Sequence, residues 1–138
     1  MPANPLDTFT NQAVKVFGNE ASREYQRRLK DDRTLCGTHC GSCGRTAFPP
    51  RDFCPDCFSG DCSWVAIGDG ATLYAFTTQH RGLRFTAPDV IGVVNVPDVG
   101  LIVTPLSGRL DELEIGQAMK PEVVDINEKL STHRFIPA

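Results

Sequence analysis

The spacing of apolar positions changes character along the chain. Residues 1–11 carry Pro2, Pro5 and two asparagines without any period and read as a loose arm. From Gln12 to Leu29, Val14, Phe17, Ala21, Tyr25 and Leu29 recur every three or four positions, the spacing of one helical face. Gly18-Asn19 interrupts this run and predicts two helices, with Asn19 as the N-cap of the second. Glu24 and Arg28 are spaced to pair at i,i+4 on the outer face. The apolar stripe is too narrow for a free-standing helix, so it predicts docking on this chain's own domain or on a partner subunit.

Past Trp64 the period becomes two, as in half-buried strands. "SWVAI" and "ATLYAFTT" flank Gly68-Asp69-Gly70 and predict a hairpin. "VIGVVNV" and "LIVTPL" flank Pro97-Asp98-Val99-Gly100 and predict another. "LDELEIG" reads as a short connector, and "QAMKPEVVDI" and "HRFIPA" read as the last two strands around Asn127-Glu128. Pro121 lacks a ladder donor and predicts an edge or a bulge. Short strands without a further helix point to a small five-stranded OB-type barrel. The expected fold class is mainly β with N-terminal helices. Its organisation is an arm and helices over 1–33, a metal ribbon over 34–62 and the barrel over 63–138.

The ribbon expectation rests on cysteine spacing. Cys40-x-x-Cys43 and Cys54-x-x-Cys57 are two knuckles, each able to turn two thiolates toward one point. Together they make the tetrahedral sulfur set that suits one structural Zn²⁺. Gly41 and Gly44 are expected to supply the positive φ of tight turns, and Pro49, Pro50 and Pro55 to stiffen the segment. Disulfides and an iron site are the alternatives. Cys36 stands close enough to replace Cys40, but Cys36 and Cys62 are read as small, partly buried thiols. His39 is read as a polar neighbour of the cage.

Charge narrows the function. Residues 1–62 hold eight Lys/Arg and eight Asp/Glu, and residues 63–138 hold six and nine, so the net −3 belongs to the barrel half. A nucleic-acid binder concentrates basic residues on one stripe, and this chain does not. No apolar run reaches the ~20 residues of a membrane span. The start "MPANPLDTFT" lacks the basic and apolar regions of a secretory signal, which predicts a cytoplasmic protein.

No catalytic constellation is legible. The chain has neither a Gly-x-Ser-x-Gly elbow nor a phosphate-binding glycine loop, and His39, His80 and His133 fall in no nucleophile–base pattern. A four-thiolate metal site has no open position for water. Asp111, Glu112 and Glu114 read as solvated loop charges. The stretch "TTQHRGLRFTAPDV" gathers His80, Arg81, Arg84 and Phe85 between two strands. Two guanidinium groups beside aromatic rings suit a phosphate, an adenine ring or a partner surface; incidental loop charge is the alternative.

The helical arm, "CGSCGRTAFPPRDFCPDC", the Trp, "GDGATLYAFTT", "VIGVVNV", "LEIGQ" and the terminal "HRFIPA" occur in an order that resembles a small family. That family joins a rubredoxin-like zinc ribbon to a C-terminal OB-fold, and the likeness covers roughly residues 20–138. "QAMKPEV" departs from the plain hydrophobic strand usual there. The resemblance implies a non-catalytic partner subunit of a thiolase-fold enzyme. Such partners include archaeal acetoacetyl-CoA thiolase with hydroxymethylglutaryl-CoA synthase, thiolase-like aldolases of steroid side-chain breakdown, thiolases of anaerobic toluene degradation and the diacetylphloroglucinol acetyltransferase. It implies that catalysis lies on the partner and that CoA or acyl-CoA is shared with it. A ribbon-plus-OB nucleic-acid module and a stand-alone acyl-CoA-binding protein are the alternatives.

Overall fold

A computed structural model of the chain describes residues 19–79 and 89–138. The first element is helix α1, Glu20–Lys30. Asn19 caps it as expected, its Oδ1 accepting from the Ser22 amide at 2.8 Å. Glu20 in the first turn and Arg27, Arg28 and Lys30 in the last complement the helix dipole. Ala21, Tyr25 and Leu29 share one face. Leu29 is fully buried, and the helix lies against strands of this same chain. Lys30 and Arg33 fasten its C-terminal end to Asp125 at 3.1 and 2.7 Å. Val14 and Phe17, and the earlier helix they predict, lie outside the described residues.

The ribbon is a three-stranded antiparallel sheet of β1 (Cys36–Cys40), β2 (Thr46–Ala47) and β3 (Cys62–Ala66), in the order β2-β1-β3. This corrects the first predicted hairpin. "SWVAI" does not pair with "ATLYAFTT": β3 pairs with β1 from Cys36↔Ala66 to Cys40↔Cys62. The knuckles bring the chain back beside β1, so β3 finds an antiparallel partner before the barrel begins. The Gly68-Asp69-Gly70 turn carries the chain from one sheet to the other, with Gly68 at φ 112° and Gly70 at φ 75°. A Cβ on Gly68 would stand 2.6 Å from Pro121 Cγ, so only glycine allows this close crossing.

The second sheet contains β4 (Ala71–Gln79), β5 (Asp89–Val96), β6 (Gly100–Pro105), β7 (Ala118–Asp125) and β8 (Ser131–Pro137), in the order β6-β5-β4-β7-β8. All its ladders are antiparallel. A parallel bridge, Leu106↔Phe135, and the Ser107 amide on the Phe135 carbonyl at 3.0 Å bring β6 and β8 together. The result is a nearly closed five-stranded, OB-like barrel. The second hairpin is as expected, with Val96↔Gly100 at its turn. The β4 ladder on β7 stops at Met119, short of Pro121, consistent with the missing donor. β7 nonetheless runs unbroken through "AMKPEVVD". The 3₁₀ turn Leu110–Glu112 is the expected connector.

β6 shows the period of two in its burial: Ile102 and Thr104 face inward while Leu101, Val103 and Pro105 are exposed. Leu73, Val94, Val96, Ile102, Met119 and Phe135 fill the barrel, and Leu29 and Leu35 belong to the same cluster. Helix, ribbon and barrel therefore share one core. Their junction is marked by Tyr25, Phe48 and His133: the rings of Tyr25 and Phe48 lie 6.2 Å apart and those of Phe48 and His133 5.6 Å apart.

Candidate metal centre

Each knuckle is built by the same two backbone bonds. The Gly44 amide donates to the Cys40 carbonyl at 3.0 Å, and the Phe58 amide donates to the Cys54 carbonyl at 2.9 Å. The Cys40 and Cys54 amides donate to the carbonyls of Arg45 and Ser59 at 2.8 and 2.9 Å. Gly44 has φ 80°, as its turn requires. Gly41 is not among the positive-φ glycines, which corrects the expectation for it. Its reason is space: a Cβ there would lie 2.4 Å from Asp61 Oδ2, and its amide donates to the Asp61 carbonyl at 2.8 Å. A salt bridge from Arg45 Nη1 to Asp56 at 2.8 Å and a 2.9 Å bond between the Ser42 and Ser59 hydroxyls tie one knuckle to the other.

This scaffold brings four sulfurs together. Cys40 and Cys57 Sγ lie 3.6 Å apart, Cys43 and Cys54 Sγ 3.5 Å apart, and all four lie within 4.8 Å of one another. Sulfurs at about 2.3 Å from a tetrahedral zinc stand about 3.8 Å from each other, so the cage matches that ion. The separations exceed the ~2.05 Å of a disulfide, and all six cysteines are free. Amides point at the sulfurs: Cys43 N–H at Cys40 Sγ, 3.5 Å, and Asp56 N–H at Cys54 Sγ, 3.4 Å. The Cys43 amide, helped by that of Ser42, holds the Cys40 thiol down at about 6. Cys54 is lowered first by the Cys57 amide. Cys43 feels the Arg45 amide, which lowers it, but the Cys54 thiol and burial outweigh this and push it up to about 12. Cys57 feels the Ser59 amide, which lowers it, but the Cys40 thiol and burial outweigh this and raise it as well. Two thiols that ionise easily thus stand beside two that resist, as crowded sulfurs do.

The other candidates stand apart from the cage. His39 Nδ1 bonds the Thr46 hydroxyl at 3.1 Å. Cys36 is buried at the start of β1, with its thiol raised by burial. Cys62 is half-buried, faces Cys40 across the sheet and donates to the Ser59 carbonyl at 3.7 Å. Asp111 pairs with Arg109 in solvent. His80, Arg81 and Arg84 lie outside the described residues. The described β4–β5 ladder ends at Gln79↔Asp89.

Two features escaped the sequence reading. A cleft of about 600 Å³ opens between α1 and the ribbon, lined among others by Arg23, Arg27, Arg51, Cys62 and Trp64. Trp64 carries the Arg28 guanidinium 5.1 Å from its ring centre, so Arg28 both pairs with Glu24 and roofs the indole. The other is Phe58, which takes the place in the second knuckle that Gly44 takes in the first, at φ 61°. Aligning "CGSCG" with "CPDCF" is the signal that would have found it. Among the described residues the histidines are engaged with Thr46 and Tyr25, not with a serine or cysteine.

A closed four-thiol ribbon ahead of an OB-like barrel defines a zinc-ribbon/OB protein whose metal site is structural. Family models divide the chain at the same seam. The ChsH2 rubredoxin-like zinc ribbon domain matches residues 27–62, and the ChsH2 C-terminal OB-fold domain matches residues 64–124. The chain belongs to this ChsH2 family, which joins a rubredoxin-like zinc ribbon to an OB-fold. Among solved structures it is similar to a chain of an Ltp2-ChsH2(DUF35) aldolase, 26% identical with a TM-score of 0.72, over 86% of this chain and 95% of that one. It also shares its fold with a DUF35-family protein of unknown function from Sulfolobus solfataricus, 20% identical with a TM-score of 0.60, over 99% of this chain and 100% of that one. Among the described residues no helix is long and apolar enough to cross a membrane.

Proposed function

We propose that this chain is a non-catalytic accessory subunit of a thiolase-type acyl-CoA enzyme. It docks on a thiolase-fold catalytic subunit and helps form or cover the acyl-CoA site. The observation that carries this reading is the match, over 95% of its length, to a chain of an Ltp2-ChsH2(DUF35) aldolase. Cys40, Cys43, Cys54 and Cys57 hold one Zn²⁺ per chain. When bound, the ion cross-links the two knuckles of a segment too small to bury an adequate core of its own. His80, Arg81 and Arg84 face CoA or the partner. The complex works in the cytoplasm, away from membranes and nucleic acid.

The rival nucleic-acid reading finds little support on the barrel. OB-folds grip single strands with basic residues and stacked aromatics on the face that here belongs to β5 and β6. That face presents Leu101 and Val103, 57% and 67% exposed.

Co-purification with a thiolase-fold catalytic subunit from the same source tests the proposal. The expected result is a stable hetero-oligomer whose thiolase, aldolase or acyltransferase activity is absent from either chain alone. The double change Arg81→Ala and Arg84→Ala is expected to weaken assembly or raise the Michaelis constant for acyl-CoA at least tenfold, about 1.4 kcal/mol. Turnover by the purified chain alone, or no association with the partner, overturns the reading.

A further inference from the structure

Phe58 is the residue the fold explains least. Its amide makes the same bond to the first cysteine of its knuckle that Gly44 makes in the other, and its backbone is left-handed like that of Gly44. A side chain in this conformation crowds its own backbone, so glycine is the residue that closes such a turn without strain. The other two non-glycine residues with positive φ among the described residues have local reasons. Arg33 reaches Asp125 at 2.7 Å, and Asp98 is of a type that tolerates this region. Phe58 has no such return: its ring is 76% exposed and belongs to no core cluster. On the other side of the same knuckle, just before Cys54, Phe53 is 43% exposed. A strained backbone that presents an apolar ring to water has no folding advantage, and such positions mark functional sites. The backbone that carries the ring is also held in place. The four-thiol cage, the two knuckle bonds and the Arg45–Asp56 bridge fix it. Little order remains to be lost on binding, which is the condition of an aromatic hot spot.

We propose that Phe58, with Phe53 at the other end of the same knuckle, is an apolar knob by which the second knuckle seats in an apolar pocket of the thiolase-fold catalytic subunit. This rests on the accessory-subunit reading above. A second copy of this chain is a poor receptor. Its cleft beside α1 is walled by Glu20, Arg23, Glu24, Arg27, Arg51 and Asp52, which does not suit a phenyl ring. Of its other exposed large apolar side chains among the described residues, Tyr74, Leu101 and Val103 stand on the outside of barrel strands, and Leu110, Ile115 and Ile126 lie scattered in the 3₁₀ turn and connecting segments. Neither this cleft nor these side chains suit the ring, so the receptor is assigned to the catalytic subunit.

The test uses opposite signs. Phe58→Gly in the zinc-loaded full chain removes strain and ring together. The isolated variant is expected to melt at a higher temperature than the parent, with zinc still at one equivalent. Its dissociation constant for the purified catalytic subunit, by titration calorimetry, is expected to rise at least tenfold. Phe58→Asn, which also tolerates the left-handed backbone, is expected to weaken binding in the same way, and Phe53→Ala to weaken it less. Binding equal to the parent in both Phe58 variants, with the parent binding well, overturns the knob and leaves the subunit reading standing. A fall in melting temperature for both overturns it too, because the ring would then be serving the fold. A parent chain that dimerises in sedimentation while Phe58→Gly is monomeric makes a second copy the occupant and overturns the choice of partner. Failure of the parent itself to bind the catalytic subunit brings down the subunit reading and the knob with it.

Discussion

The ribbon and the barrel bury different things. Inside the ribbon the buried side chains are small and sulfur-bearing: Cys36, Thr38, Cys40, Thr46, Ala47 and Cys54. Inside the barrel they are large and aliphatic or aromatic: Leu73, Val94, Val96, Ile102, Met119 and Phe135. Burial stabilises in proportion to apolar area removed from water, so the barrel holds itself together and the ribbon does not. The ribbon exchanges packing for a cross-link at one point, and its sheet is short because the cage does the organising. The two are nevertheless joined, because Leu29 and Leu35 lie in the same cluster as the barrel residues. Metal binding and barrel packing should therefore be separable in kind but coupled in amount.

The largest effect should come from the cage. Structural zinc sites of this type contribute on the order of 10 kcal/mol or more of binding free energy at neutral pH. Chelation, or Cys54→Ser, is expected to unfold the ribbon. Hydrogen exchange resolves where: the Cys40, Gly41 and Gly44 amides should lose protection, while the β5–β6 ladder around Val94↔Ile102 keeps most of its own. Simultaneous loss in both sheets would mean that the shared core is too strong to let one region open alone. Unchanged ribbon protection after verified metal removal would break the contrast altogether.

Next in size is the barrel's own centre. Phe135 is fully buried, and its carbonyl also takes the Ser107 amide where the barrel closes. Phe135→Ala leaves that backbone bond but empties the core, and is expected to cost about 3–5 kcal/mol in urea unfolding with zinc in excess. Under native conditions the variant should still carry one zinc per chain. A loss below about 1 kcal/mol would mean that the barrel collapses around the gap, which close-packed interiors do only in part.

What was legible in the sequence follows the same division. The cage was visible because ligand spacing is local: Cys40 to Cys43 and Cys54 to Cys57 each span a single turn. The Asn19 cap and the β5–β6 hairpin were visible for the same reason. The partner of β3 was not. Its alternation and the following glycine turn fit a hairpin, and only the return of the chain through the knuckles sets β3 against β1. Gly41 was misread because crowding by Asp61, twenty residues on, leaves no local mark, unlike the turn at Gly44. The cleft under Trp64 needs α1 and the ribbon placed together, which no periodicity specifies. Phe58 was legible in principle, since the two knuckles invite comparison residue by residue.

The smallest effect lies where the regions meet, and its test is acid. Tyr25 on α1 bonds His133 Nδ1 on β8 at 3.2 Å, and Phe48 of the ribbon meets the imidazole edge-on. In the tautomer in which Nδ1 accepts from the tyrosine hydroxyl, Nε2 carries the proton; that nitrogen is buried without a hydrogen-bond partner among the described residues. A second proton would place a charge in this junction, and burial accordingly lowers His133 below its ordinary value near 6.5. The sign follows from linkage. The unfolded chain takes up the proton first as pH falls, so stability present above about 6.5 is lost progressively toward the lower folded value. The slope cannot exceed one proton, about 1.4 kcal/mol per pH unit. Asp125 and Glu24 are lowered too, by the Ser131 hydroxyl and the Arg27 guanidinium first, but their contributions fade only below 3.8 and 4.5. The window between pH 6.5 and 4.5 thus isolates the histidine from these carboxylates, while acid release of zinc acts on parent and variant alike. His133→Gln keeps an acceptor for Tyr25 and does not titrate. The stability difference, parent minus variant, should be flat above pH 6.5 and fall below it. A difference constant down to pH 4.5 would show that the junction admits the charge, and that ribbon, helix and barrel meet through water at this point.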